Sequence, residues 1–245
     1  MDICLRFNYG LPQKTGSNMG TLLSLGYYAA TLAFLGGILS RFLILWKAYR
    51  SMGPVMTSGP KMTPAAFIKA AGDMVFLGRL LKVHDVLWAG EWIFHWSLVL
   101  VVLRHLRYFF NPVPGWIAFI QPAGIIAGCV LPLALIYILT VKLVIEKGYA
   151  PSYNFFLLAL ILLTGATGIL LRTASRTDIT QVKIFVLGIL SFRPEAAPGG
   201  LLFIVHYMLV LLLVLYLPSH IFTAPFVMLD AREREEELKR LIHEE

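Results

Sequence analysis

Apolar runs of about 20 residues with few charged side chains recur five times along this chain. A helix of that length crosses the ~30 Å hydrocarbon core of a bilayer. Only 14% of the 245 residues are charged, whereas a soluble domain carries roughly 25%. A membrane barrel would instead show alternating segments of about ten residues. The sequence therefore predicts an all-α integral membrane bundle of five transmembrane helices.

The five spans are predicted at about Leu22–Trp46, Val86–Phe110, Ile117–Ile145, Tyr153–Leu171 and Leu201–Val227. The third span is expected to be broken at Pro122 and again at Pro132, because proline removes a helical N–H donor. Residues 182–192 are also apolar, but a stretch of about 11 residues is too short to span. We expect it to form a surface or re-entrant segment.

The spans divide the chain into an external segment (1–21), a membrane domain (22–228) and a charged cytoplasmic tail (229–245). The polar first 20 residues lack the apolar region of a signal peptide, so the first run is expected to be a retained span. Residues 62–85 are predicted to form an amphipathic helix on the inner surface, with Thr63 as its N-cap and Pro64 as its first residue. Its cationic face would meet lipid headgroups or a partner subunit.

Lysine and arginine residues favour an orientation with the N-terminus outside and the C-terminus in the cytoplasm. This arrangement places twelve of them in inner segments and eight in outer segments, in agreement with the positive-inside rule. The predicted location is the cytoplasmic membrane. The net charge of +7 is explained by basic residues at span ends, so membrane lipid is an expected partner and nucleic acid is not.

Two cysteines, Cys4 and Cys129, lie far apart, and no CxxCH sequence occurs. Covalently attached c-type haem and a cysteine-ligated iron–sulfur cluster are therefore excluded for this chain. Both cysteines are interpreted as unpaired thiols.

Four of the six histidines lie in or at the ends of two predicted spans, where a polar side chain is expensive and usually functional. His95 and His105 are about 15 Å apart along the second span, and His206 and His220 are about 21 Å apart along the fifth. Because the two spans run in opposite directions, His105 pairs by depth with His206 near the outside, and His95 with His220 near the inside. Such pairs of imidazoles are typical axial ligands of b-type haem.

These four histidines are accordingly predicted to ligate the iron of two b haems. The alternatives are a zinc site, for which the ligands are poorly clustered, and a proton-coupled carrier with relay histidines. His84 and His243 are expected to be ordinary surface residues. Arg104, Arg107 and Arg172 lie toward the outer side and are candidates to bind haem propionates, although snorkelling to the headgroups would also explain them.

Three segments carry a resemblance to a known family: HWSLVLVVLRHLRYFFNPVPGW, LLRTASRTDITQVKIFVLGILSFRP and FIVHYMLVLLLVLYLP. Together they resemble DsrM, the cytochrome b subunit of the sulfite-reduction-associated DsrMKJOP membrane complex. The chain also resembles, more distantly, the gamma subunit of respiratory nitrate reductase and the cytochrome b of heterodisulfide reductase.

The resemblance implies five helices and two b haems held by His95, His105, His206 and His220. It also implies menaquinone chemistry beside the outer haem, where Arg104, His105 and Arg107 are candidates to orient the quinone. Electrons would be exchanged with a cytoplasmic iron–sulfur subunit of the heterodisulfide reductase type. Further membrane subunits and an extracytoplasmic cytochrome c are also implied.

The chain departs from the family pattern in two places. The run LPSHIFTAP brings the last histidine about one helical turn closer to the preceding proline, so His220 would lie one turn shallower in the span. No lysine is found between Val86 and Thr140, where the family has one in its quinone region. Two other functions remain open at this point: the anchor of another quinol-linked oxidoreductase, such as nitrate reductase, and a proton-coupled transporter.

Overall fold

The computed structural model describes residues 14–51, 64–144 and 152–218, and these residues form helices and connecting turns without any strand. The helices are α1 (Lys14–Ser51), α2 (Pro64–Phe76), α3 (Gly78–Val83), α4 (Asp85–His105), α5 (Gly115–Val144), α6 (Ser152–Leu170), α7 (Ile179–Leu190) and α8 (Leu201–Pro218). A 3₁₀ turn at Leu106–Tyr108 follows α4, and a π-helical turn at Leu171–Ser175 follows α6.

Among the described residues, five segments are long and apolar enough to cross a membrane: Asn18–Ile44, Asp85–Tyr108, Gly115–Val144, Phe155–Ser175 and Leu201–Pro218. The predicted all-α bundle of five membrane-length helices is confirmed. The second and third spans match their predicted bounds within two residues, while α1 extends beyond the predicted first span at both ends. Residues 219–227 of the predicted fifth span lie outside the described residues. The orientation of the termini stays a prediction.

The prolines of the third span do not break it, so the prediction of two breaks is wrong. Helix α5 is continuous through both Pro122 and Pro132. Pro132 is buried, and its ring lies close to Gly165 of α6. Packing against neighbouring helices compensates for a missing helical hydrogen bond in a membrane bundle, which local sequence reasoning does not take into account.

Helices α4 and α5 form a closely packed antiparallel pair. At one end of the pair, a Cβ atom on Gly90 would lie 2.6 Å from the ring of Tyr137. At the other end, a Cβ atom on Gly124 would lie 2.7 Å from Cβ of Arg104. Glycine is required at both positions because the opposing side chain occupies the space of its missing methyl group.

The main core lies where α4, α5 and α6 meet, and a side chain of α8 completes it. Its central buried residues are Phe94 of α4, Leu135 and Ile138 of α5, and Ile161 of α6, with Leu213 of α8 packed against them. The core thus holds α8 beside the α4–α5 pair, which decides where the histidines of the two predicted ligand helices meet.

A second cluster joins α1, α7 and α8. Phe185 of α7 is fully buried among Leu23 of α1 and Phe203 of α8, and the hydroxyl of Tyr28 donates to the carbonyl of Ile189 at 2.8 Å. Helix α7 contains most of the apolar stretch 182–192 and is shorter than a membrane span, as predicted. It packs against the N-terminal halves of α1 and α8.

The predicted single helix over residues 62–85 is instead two helices, so this prediction is wrong in part. Pro64 opens α2 as expected, while Thr63 lies outside the described residues. The break falls at Leu77, which has a left-handed φ of 49°. The indole of Trp88 donates to the carbonyl of Phe76 at 2.7 Å and so satisfies a group at the end of α2. This tertiary hydrogen bond favours the break.

Candidate functional site

His105 and His206 lie close enough for their imidazoles to interact electrostatically. His105 is the last residue of α4, and His206 lies in the second turn of α8. The end of one span and the start of another reach the same depth when the two spans run in opposite directions. The structure therefore brings together the two histidines that were predicted to form the outer pair.

The imidazole of His105 is held by its own helix. Its Nδ1 lies 2.6 Å from the carbonyl oxygen of Val101. Because a carbonyl oxygen only accepts hydrogen bonds, Nδ1 must carry the hydrogen. In the neutral ring the lone pair is then on Nε2. His95 has the same arrangement, with Nδ1 lying 2.6 Å from the carbonyl oxygen of Glu91.

The imidazole of His206 is held by a neighbouring helix. Its Nδ1 lies 3.0 Å from Oγ1 of Thr167 on α6. The same hydroxyl lies 2.9 Å from the carbonyl oxygen of Leu163 and can donate its hydrogen there. The threonine oxygen is then an acceptor for an Nδ1 hydrogen, so His206 can also present Nε2 as its free nitrogen.

Gly168 allows the close approach of α6 to His206. A Cβ atom at this position would lie 3.2 Å from Cε1 of the imidazole, which is tighter than an ordinary van der Waals contact. Any larger side chain would displace the ring. Thr167 and Gly168 were not identified from sequence, although the run LTGATG in the fourth span has the small and hydroxyl-bearing residues that are typical of close helix contacts.

His84 differs from the three histidines above. Its Nδ1 accepts a hydrogen bond from the backbone N–H of Leu87 at 3.4 Å, at the start of α4. The side chain therefore contributes to the N-cap of the helix that carries His95 and His105. The prediction of an ordinary surface residue missed this structural role. His243 lies outside the described residues.

A group of basic side chains surrounds the C-terminal end of α4. Arg104 is close enough to Arg107 and to Arg172 to interact with both electrostatically. The guanidinium of Arg107 donates to Oε1 of Gln121 at 3.3 Å and to the hydroxyl of Tyr108 at 2.8 Å. The three predicted arginines are therefore neighbours. Arg172 follows a different helix, so only the tertiary structure brings it to the other two.

Two nitrogens of this basic group have no hydrogen-bond acceptor among the described residues. They are the buried Nε atoms of Arg104 and Arg107. A buried donor without a partner is costly, and three neighbouring guanidinium groups repel one another. Both features favour an anion at this position, and carboxylates match the planar arrangement of guanidinium donors.

His95 lies beside an ion pair that was not predicted. Oε1 of Glu91 lies 3.7 Å from Nζ of Lys142 on α5. Oε2 of the same carboxylate lies 3.8 Å from Nδ1 of His95. The position of Glu91 inside a predicted span is the sequence feature that could have indicated this site, because acidic residues are rare there and usually functional. Lys142 also lies just beyond Thr140, the end of the range in which the family has a lysine. His220, the predicted partner of His95, lies outside the described residues, so the inner pair stays a prediction.

Within the ranges that the structure describes, no three His, Cys, Asp or Glu side chains are grouped around one possible metal position. A b-type haem needs only two iron ligands from the protein, because the porphyrin supplies the others. His105 and His206 are the type of residue that would supply these two ligands. Cys129 is an exposed free thiol on α5.

Two curated relatives match the chain. One is named Hdr-like menaquinol oxidoreductase cytochrome b-like subunit, from Archaeoglobus profundus, and is 29% identical over 152 residues. The alignment covers 54% of this chain and 44% of that relative. A protein of the same name from Archaeoglobus fulgidus is 26% identical over 149 residues, which covers 54% of this chain and 45% of that relative. The chain thus matches less than half the length of either relative. No family model and no solved structure matches it.

Proposed function

We propose that this chain is a di-haem cytochrome b subunit that transfers electrons between the menaquinone pool and a cytoplasmic iron–sulfur subunit. One observation carries the proposal: His95, His105 and His206 each direct Nδ1 to an oxygen of the chain, leaving Nε2 available. Metal-ligating histidines typically have such a partner on the second nitrogen, which fixes the tautomer and the ring orientation.

The outer haem is assigned to His105 and His206 as axial ligands. Their proximity, the absence of a side chain at Gly168 and the unpartnered Nε atoms of Arg104 and Arg107 fit a large planar carboxylate-bearing group. The arginines, with Arg172, would bind its propionates. A haem bound here would accept and release one electron at a time. The inner haem is assigned to His95 and His220.

Quinol oxidation is placed at the outer end of α4. Oxidising one menaquinol releases two electrons and two protons, and the protons would leave on the outer side. Arg107 is oriented by Gln121 and Tyr108, so its guanidinium can donate to a quinone oxygen from a fixed position. Arg104 and His105 complete the candidate quinone contacts. The names of both relatives support menaquinol as the donor.

The partner is proposed to be an iron–sulfur subunit of the heterodisulfide reductase type. The relatives' names contain the term Hdr-like, which supports this class of partner. The narrower assignment to DsrM, with sulfite-linked metabolism, further membrane subunits and an extracytoplasmic cytochrome c, rests on the LRHLRYF and PVPGW motifs. No observation favours nitrate reductase over this assignment.

Haem content tests the proposal directly. The purified full chain should give a reduced b-type α band and two haems per polypeptide by the pyridine haemochrome assay. His105→Ala and His206→Ala should lose the same haem, while His95→Ala and His220→Ala should lose the other. His84→Ala is the matched control and should retain both. Wild-type protein without a b-type spectrum would overturn the proposal, and two haems in His105→Ala would overturn the pairing.

The partner assignment needs a separate experiment. A tagged chain would be isolated in mild detergent from its native membranes, and its copurifying subunits would be analysed for non-haem iron and acid-labile sulfide. Reduced menaquinone analogue should then reduce both the haems and the clusters. Haem reduction without any copurifying iron–sulfur subunit would contradict the proposed partner while leaving the cytochrome assignment in place.

A further inference from the structure

Glu91 and Lys142 form an ion pair between α4 and α5, at the opposite end of the helix pair from Arg104 and Gly124. The oxygen–nitrogen distance is 3.7 Å, and the two side chains are only 17% and 14% exposed. Charged residues in membrane spans are rare, because removing them from water is expensive, and most have a function.

Apolar contacts also hold α4 against α5 beside this ion pair. Gly90, the residue before Glu91, already packs tightly against Tyr137 and Ile138, and the apolar core of the two helices continues through Phe94 and Leu135. A buried ion pair contributes little net stability compared with apolar residues of the same volume. The position of the pair therefore calls for an explanation other than helix packing.

The explanation lies in the contacts of Glu91 with His95. Glu91 approaches Nδ1 of this imidazole twice, through its backbone oxygen at 2.6 Å and its carboxylate oxygen at 3.8 Å. The ring of Phe94 lies against the imidazole with centroids 4.8 Å apart, which restricts its movement. Lys142 is paired with the same carboxylate, so it fixes Glu91 and offsets its charge.

We propose that Glu91 is a positioning residue that orients His95 and, together with Lys142, sets the reduction potential of the haem that His95 binds. This inference rests on the proposed function, because it takes His95 as an iron ligand. The backbone oxygen of Glu91 holds the Nδ1 hydrogen and so fixes the ring orientation, while its carboxylate places a negative charge 3.8 Å from the imidazole. This negative charge favours the oxidised haem. The lysine charge acts in the opposite direction and favours the reduced haem.

We expect the Glu91 and Lys142 variants to shift the midpoint potential of one haem in opposite directions. Redox titrations monitored at the α band would use membranes containing the full chain with its native partners. Glu91→Gln removes the negative charge and should raise the midpoint potential of one haem. Lys142→Gln removes the positive charge and should lower the potential of the same haem. The double variant Glu91→Gln/Lys142→Gln should return close to the wild-type value, because both charges are then absent.

Two exposed residues of the same types serve as controls, Glu195→Gln on the segment before α8 and Lys69→Gln on α2. Neither should shift either potential. If the wild-type chain holds two b haems and the Glu91 and Lys142 variants shift the same haem in one direction, or leave it unchanged, this inference fails while the proposed function stands. Wild-type protein without two b haems would instead remove the proposed function itself.

If a glutamine variant loses haem, two charge-conserving variants, Glu91→Asp and Lys142→Arg, separate the effect of charge from that of side-chain shape. Both retain the charges and should retain two haems, with smaller shifts than the glutamine variants. Loss of the same haem from these variants would show that side-chain shape and not charge is required, which would overturn the proposal.

Discussion

The hydroxyl of Thr167 on α6 lies 3.0 Å from Nδ1 of His206 on α8. The next residue, Gly168, lies against the edge of the same imidazole. Two successive residues of α6 thus orient the ring, one through a hydrogen bond and the other through the absence of a side chain. Helix α6 carries no predicted haem ligand, yet it decides how a ligand on another helix is presented.

Thr167→Val is expected to weaken haem binding at the outer site. Valine has nearly the shape of threonine but cannot accept the Nδ1 hydrogen bond, and loss of such a partner typically costs about 10–100-fold in metal affinity. Haem retention during graded detergent washing measures the effect. Thr140→Val is the control, because the hydroxyl of Thr140 donates to the carbonyl of Ile136 in its own helix. Equal haem retention in both variants would contradict the role of Thr167.

Gly168→Ala is expected to lower the occupancy of the outer haem and leave the inner haem in place. The added methyl group would lie 3.2 Å from Cε1 of His206, so the ring must move by a few tenths of an ångström. The haem-to-protein ratio and the α-band shape report the loss. The methyl group of Gly36→Ala would have no atom of another described element within 4 Å, so this variant should change neither measurement.

Arg104→Gln and Arg107→Gln are each expected to lower the midpoint potential of the outer haem. A nearby cation favours the reduced form, which carries one positive charge fewer than the oxidised form, so its removal stabilises the oxidised form. Potentiometric titration measures the shift. Arg193→Gln is the control, since this arginine lies on the segment after α7 and is exposed. A rise in potential in the arginine variants would contradict the assignment of these residues to the outer haem.

Gly90→Ala is expected to destabilise the α4–α5 pair by about 1–3 kcal/mol, because overpacking forces neighbouring side chains and backbone to shift. The added Cβ atom would lie 2.6 Å from Tyr137 and 2.9 Å from Ile138. Thermal unfolding in detergent, followed by circular dichroism, provides the measurement. In Gly128→Ala the nearest atom of another helix lies at 3.9 Å, so that variant should unfold at the wild-type temperature.

His84→Ala is expected to lower stability by about 1 kcal/mol and to leave the haem spectrum unchanged. The variant loses the acceptor at the N-terminus of α4, and loss of an N-cap costs about 0.5–2 kcal/mol. Thermal unfolding and the α-band spectrum should be recorded on the same preparation. A change in the spectrum would show that His84 has a role in cofactor binding.

The spans and the depth of the outer histidine pair could be predicted because both depend on local properties. A run of apolar residues identifies a membrane-length helix from its own composition, independently of its neighbours. The alternation of span directions then places the end of the second helix and the start of the fifth at one depth, where the structure has His105 and His206. The sequence by itself determined this framework.

Only the tertiary structure decided which helices touch and which side chains meet between them. Thr167 and His206 are separated by 39 residues, and Glu91 and Lys142 by 51, and no spacing rule connects residues so far apart. The continuity of α5 through its two prolines and the break at Leu77 have the same origin. In each case contacts with another element change the free energy of a local conformation, and those contacts exist only after the helices have packed.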